Sequence, residues 1–188
     1  MSDDLMARLQ TSLQGSLHTD PVEGIARGAA ISTCGLYRYQ LWRYWGSGDA
    51  MVWIMLNPST ADRDVDDPTI RRCMAFAKRE GFDGIEVLNL YGLRATKPAH
   101  LLDHPDPEGP DNYKHWTRVL GYPWIKMVVA AWGASAPKGC PPSRALKGRY
   151  MEGWLTLGVT AEGHPRHPLY VKSDTPLERY RPSVVTVA

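Results

Sequence analysis

Several short segments carry side chains that are poor core material yet rich in hydrogen-bonding chemistry: Asn57-Pro58-Ser59-Thr60, Asn89, Trp132-Gly133, and His164-Pro165-Arg166-His167-Pro168. An amide can hold a water or read a donor and acceptor edge, and an imidazole can meet negative charge as it develops. Each segment alone has a plainer explanation. Asn and Ser beside proline are ordinary turn residues, Asn89 can cap the next segment, Trp132 can be core, and a His beside Pro is often just a loop residue. Their position is what joins them. Each follows or closes a segment that reads as strand, so a parallel sheet would gather them along one edge.

The elements that must position them follow from hydrophobic periodicity. Ala29 to Ser32 and Tyr37 to Trp45 alternate apolar and polar residues around a Cys-Gly pair, which predicts an antiparallel hairpin with Arg38 and Arg43 among the outward candidates. Met51 to Leu56 is a continuous apolar run, the pattern of a strand covered on both faces. Asp67-Pro68 supplies a cap and a first-turn proline, and Ile70, Cys73, Met74 and Ala77 then recur at helical spacing until Gly81. Ile85 to Leu90 reads as a second buried strand and Pro98 to Pro110 as a surface connection with at most a helical turn. Tyr113 to Leu120 follows as a helix, Ile125 to Trp132 as a third strand, Arg144 to Glu152 as a helix and Trp154 to Val159 as a fourth strand. The tail after Tyr170 reads as irregular. Strands alternating with helices predict an α/β fold, a three-layer α/β/α domain with a central, mainly parallel four-stranded sheet and an N-terminal β-hairpin. That domain spans 21–188, behind a loosely held arm over 1–20.

Composition excludes several classes. A chain of 188 residues and 21.0 kDa can bury one core without staples, and 43% hydrophobic with 22% charged residues is a globular balance. The apolar runs are too short to span a bilayer, and the N-terminal residues lack the apolar stretch of a secretory signal, so a cytoplasmic protein without a membrane partner is expected. Cys34, Cys73 and Cys140 share no CxxC spacing and read as reduced thiols. Net charge is only +2, but Asn112 to Met151 contains Lys114, Arg118, Lys126, Lys138, Arg144, Lys147 and Arg149 with no Asp or Glu. Such a stretch can face phosphates or plain solvent. Seven Trp and nine Tyr against two Phe favour rings with a polar edge, which suits nucleic-acid surfaces and ordinary half-buried positions alike.

The order LNPST, VLNLYGLRAT, AWGASAPKG and RHPLYV, spanning Met51 to Val171, resembles the motif series of the uracil-DNA glycosylase superfamily. There a first strand ends in Asp or Asn before Pro, a second in a base-reading Asn, a third in a Trp-Gly-like turn, and a last loop begins with His-Pro. The segments LNPSTAD, DDPTIRRC, NLYGLRAT and GHPRHPLY are similar to a family of uncharacterised bacterial and phage proteins, the domain of unknown function 1643, and this closer resemblance names no activity. The first resemblance implies that Asn57 holds the attacking water, Asn89 reads a flipped base and His167 stabilises the departing anionic base. Asn57 departs from the members that carry Asp there. Ser59 stands where uracil-specific members carry a bulky Tyr, which leaves room beside the pyrimidine 5-position. Tyr91 joins Ser59 and Asn89 as a base-binding candidate, and Arg71, Arg72, Lys147, Arg149, Arg166 and Tyr170 are the DNA-binding candidates.

The expected function is excision of a modified pyrimidine from DNA, leaving an abasic site, by a monomer that needs no cofactor and no metal. Phage DNA is a natural target for such chemistry, with defence as the setting. Two alternatives stay open: an N-glycosidase acting on a free nucleoside or nucleotide, and a silent reader of modified DNA. Asp62, Asp64, Asp66 and Asp67 could supply a general base or a metal site, but Asp67 reads as a helix cap and the rest as a solvated loop. His100 and His104 have ligand spacing, yet Pro98 and Pro105 argue against the helix it requires. His164 reads as a loop residue. Arg71 and Arg72 open the best helix, where either phosphate or solvent can be their partner. No phosphate-binding loop, dinucleotide fingerprint, zinc-protease or serine-hydrolase motif occurs.

Overall fold

The computed structural model describes residues 26–59, 65–135 and 153–181. The arm over 1–20, the expected helix at Arg144 to Glu152, and Asp62, Asp64, Cys140, Lys147 and Arg149 lie outside the described residues. In chain order the elements are β1 (Ala26–Ile31), β2 (Arg38–Tyr44), β3 (Ala50–Met55), α1 (Pro68–Arg79), β4 (Gly84–Asn89), α2 (Asn112–Leu120), β5 (Ile125–Ala130), β6 (Leu155–Thr156) and β7 (Glu178–Arg179). Short 3-10 turns stand at Pro98–Leu101 and Pro168–Tyr170.

One mixed, seven-stranded sheet runs β1-β2-β4-β3-β5-β6-β7. This corrects the expected four-stranded, mainly parallel sheet. β3 pairs in parallel with β4 and β5, and β5 with β6, while β1–β2, β2–β4 and β6–β7 are antiparallel. The N-terminal hairpin is not an appendage, because β2 continues the sheet beyond β4. The tail is not wholly irregular either, since Glu178 and Arg179 extend the far edge against β6.

Both faces of β3 are covered. Val52, Ile54 and Leu56 pack in a cluster with Trp116 and Val119 of α2, and Met51, Trp53 and Met55 in another with Ile70, Cys73, Phe76 and Ala77 of α1. Each large side chain buried this way contributes about 1.5–3 kcal/mol relative to exposure. The α1 N-terminus forms as its sequence predicts: Asp67 Oδ1 accepts from the Ile70 N–H at 2.8 Å, and Pro68 fills the first turn. Among the described residues, no helix is long and apolar enough to cross a membrane.

The interior position of β2 overturns the outward placement of Arg38 and Arg43, which are 3% and 0% exposed. Arg43 Nε donates to Asp66 Oδ1 at 2.7 Å and Nη1 to the Trp42 carbonyl at the same distance, so a buried cation is matched by oxygen acceptors. On the other face Gln40 and Tyr44 donate to the two oxygens of Glu86 at 3.0 and 2.7 Å, and Trp124 donates to Tyr44 Oη at 3.1 Å. Arg118 donates to His115 Nδ1 at 2.9 Å and to Gln40 Oε1 at 3.0 Å. Burial, helped by the Arg118 charge, pushes His115 down to about 4, so the ring accepts as a neutral imidazole.

Burial also raises Glu86 from 4.5 to about 7, with its Tyr44 and Gln40 hydrogen bonds opposing. A raised folded-state pKa means the folded chain holds the proton more tightly. The contribution of Glu86 to stability therefore falls as pH rises from 4.5 to about 7 and is level above that. Glu86→Gln should remove this decline, so its urea midpoint gains on wild type between roughly pH 5 and pH 7.5. Parallel curves for the two proteins would contradict the raised pKa.

Candidate functional site

The loops leaving β3 and β4 depart toward opposite faces, to α1 and α2, and a cleft opens at the carboxyl edge of the strands. Its volume is about 520 Å³, within the range of small-ligand sites. Asn57, Ser59, Asn89, Trp132, Arg166, His167 and Tyr170 all line it. Arg38, Asp67, Thr69 and Thr160 line it as well.

Asn89 ends β4. Its backbone carbonyl accepts from Asn112 Nδ2 at 3.0 Å and Trp116 Nε1 at 2.9 Å, both from α2, which fixes the backbone and frees the side chain from any capping duty. That side chain is 1% exposed, and neither Nδ2 nor Oδ1 has a hydrogen-bond partner among the described residues. A buried amide left this way costs about 1–3 kcal/mol for each unsatisfied group, so a donor and acceptor pair in the cleft is what it lacks.

Asn57 follows β3. Its Nδ2 donates to the Ala95 carbonyl at 2.8 Å and the Pro58 carbonyl at 3.1 Å. Those two bonds fix the amide orientation and leave Oδ1 as the acceptor for a water or hydroxyl. Ser59 Oγ donates to Asp67 Oδ2 at 3.0 Å, which links the β3 loop to the start of α1.

His167 is held by backbone contacts. Residues 158 to 166 form a tight loop, with Val159 bridging Pro165, Thr160 N–H donating to the His164 carbonyl at 2.8 Å and Arg166 N–H to the Gly158 carbonyl at 2.8 Å. Gly133 N–H then reaches the Pro165 carbonyl at 2.9 Å. Gly133 has φ +71, and an added Cβ would stand 3.4 Å from His167 Cβ, so glycine serves both the left-handed backbone and the close approach. His167 caps the turn at Pro168–Tyr170, its Nδ1 accepting from the Leu169 N–H at 3.2 Å. The neutral ring therefore carries its proton on Nε2. Burial lowers the pKa of His167 and the Asp67 charge opposes, with burial the larger cause, so the imidazole is neutral at pH 7.

The family can now be stated. A model described as "Protein of unknown function (DUF1643)" matches residues 38–169. The chain belongs to that family. No curated protein and no solved structure matches it. The matched span begins at Arg38 and ends at Leu169, two residues that line the cleft, and holds every other lining residue except Tyr170.

Not every anticipated residue reaches the site. Tyr91 is 4% exposed in the core cluster on the α2 side and does not line the cleft. Arg72 Nε and Nη2 donate to the Pro168 and Val171 carbonyls at 3.2 and 2.6 Å, and its guanidinium lies over the Phe76 ring, so it clamps the His167 turn rather than facing outward toward phosphate. Arg71 is engaged by the Asp66 carbonyl. Arg166 donates from Nε to the Val159 carbonyl at 3.1 Å, and Tyr170 is 78% exposed at the mouth. From sequence, Arg38 is an outward candidate and Asp67 reads as a helix cap, yet both line the cleft. Asp67 was reachable, because the helix it caps starts at the carboxyl edge; Arg38 had no such signal. Arg72→Gln should leave α1 intact but speed amide exchange at Leu169 to Val171, measured by hydrogen exchange. Unchanged protection there would remove the clamp.

Proposed function

We propose that this protein is a monofunctional DNA glycosylase that flips a modified pyrimidine into the cleft and cuts its bond to deoxyribose. The observation that carries the reading is Asn89, a buried amide whose two polar atoms have no partner among the described residues, in the wall of a cleft that also holds Asn57 and His167. A base edge offers the donor and acceptor that such an amide needs. Asn57 Oδ1 suits placement of a water, and the neutral His167 offers Nε2–H to the oxyanion of a departing base. Cleavage of this kind passes through a cation-like sugar and asks for a placed water and charge stabilisation more than for a strong nucleophile. Leu169 and Tyr170, 41% and 78% exposed beside His167, supply an apolar wedge and a stacking face at the mouth. Ser59 keeps the wall small, which favours a 5-substituted base.

The test is incubation with DNA carrying modified pyrimidines. Alkali-labile breaks support excision, binding without breaks supports a reader, and base release from free nucleosides alone supports a small-molecule glycosidase. Asn57→Ala should keep DNA affinity and lose on the order of 10²-fold in single-turnover rate. Equal rates would remove Asn57 from the mechanism.

His167 matters only as charge builds on the leaving base, so His167→Ala should slow the same step and leave the dissociation constant within about a few-fold. A loss confined to affinity would make His167 a binding residue instead.

A further inference from the structure

The cleft holds a water-placing amide and an imidazole donor, but neither can take the water's proton. Asn57 is an amide, with its nitrogen tied to two carbonyls. His167 Nδ1 is occupied by the Leu169 N–H, and its Nε2 carries the proton needed for the leaving base. The other titratable groups on the described wall are the cations Arg38 and Arg166, the phenol of Tyr170, and Asp67. Asp67 is the one Brønsted base left in that set.

Its geometry suits the task. A helix cap uses one carboxylate oxygen, and Oδ1 meets that need by accepting from Ile70 N–H at 2.8 Å. The second oxygen, Oδ2, receives the hydroxyl hydrogen of Ser59 at 3.0 Å. With its hydrogen directed to Asp67, Ser59 Oγ can meet any further partner only as an acceptor, and Ser59 stands two residues from Asn57 in the same wall. Resting on the glycosylase reading above, we infer that Ser59 and Asp67 form a proton relay that serves as the general base for the attacking water.

The step balances as a hydrolysis. Water donates one hydrogen to Ser59 Oγ while Ser59 passes its own proton to Asp67 Oδ2. The water oxygen bonds to the anomeric carbon, and the carbon–nitrogen bond breaks with its electron pair leaving on the base. His167 Nε2–H stabilises that anion, which takes a proton from solvent on release, and Asp67 returns its proton to solvent. Ser59 thus acts beyond being small.

Asp67→Asn retains a good helix cap and a hydrogen bond to Ser59, and Ser59→Ala retains the space beside the base. Each should lower the single-turnover rate on the order of 10²-fold, with melting temperature and DNA dissociation constant close to wild type. The double variant should be no slower than Asp67→Asn alone, because the two groups share one path. In Asp67→Asn the His167 pKa, followed by NMR, should fall as the opposing charge is lost. A wild-type rate in Asp67→Asn, losses that multiply in the double variant, or a loss carried by affinity or stability would overturn the relay. Wild-type protein that releases no base from any modified DNA would overturn the glycosylase reading and the relay with it. Wild-type excision alongside a fully active Asp67→Asn would sink the relay alone.

Discussion

A strand covered on both faces has little place for a polar side chain except its end. β3 and β4 are buried at every position, β3 under α1 on one side and α2 on the other. Because they run in parallel, their polar ends meet at one edge, Asn57 after β3 and Asn89 at the close of β4. The cleft is the place where that constraint is released. Glu86 is the exception within the strands, and it is tolerated because Tyr44 and Gln40 saturate its oxygens and burial raises its pKa to about 7.

Elements driven by strong local signals were legible in the sequence. The apolar run of β3, the Asp67-Pro68 start of α1 and the hairpin of β1 and β2 all stand where periodicity and capping chemistry put them. Pairing was less legible, because nothing local says that β2 joins β4. The charges of Arg38 and Arg43 suggested a solvent face, whereas an acceptor from another element, Asp66, lets Arg43 be covered. The alternation itself misleads. The β1–β2 register slips between Ala30 and Ile31, so Tyr39 joins the α2-side core while Leu41, two residues on, joins the α1-side core. A bulge of this kind re-aims a side chain, and Arg38 consequently reaches the cleft with Val87 and Asn89. Tyr91 lies off the cleft for a different reason: it stands two residues beyond Asn89, past the end of β4, where strand alternation no longer decides which way a side chain points.

The imidazole loop depends on backbone contacts from three sides. Gly133 ties it to the end of β5, Arg72 of α1 holds the carbonyls of Pro168 and Val171, and its own 158 to 166 turn closes it from within. Arg72 thereby couples the placement of His167 to the same helix whose cap, Asp67, touches Ser59. One rigid element positions two walls of the cleft.

That shared helix also sets the electrostatics. Burial disfavours the imidazolium at His167, and the carboxylate of Asp67 favours it; burial prevails, and the ring remains a neutral donor. In the proposed relay Asp67 gains a proton as the water attacks, which removes the one influence that was drawing a proton onto His167. The negative charge that faces His167 thereby passes from Asp67 to the leaving base, where Nε2–H meets it directly. A neutral donor stabilises that charge by a directed hydrogen bond without the desolvation penalty of an imidazolium carried through the rest of the cycle.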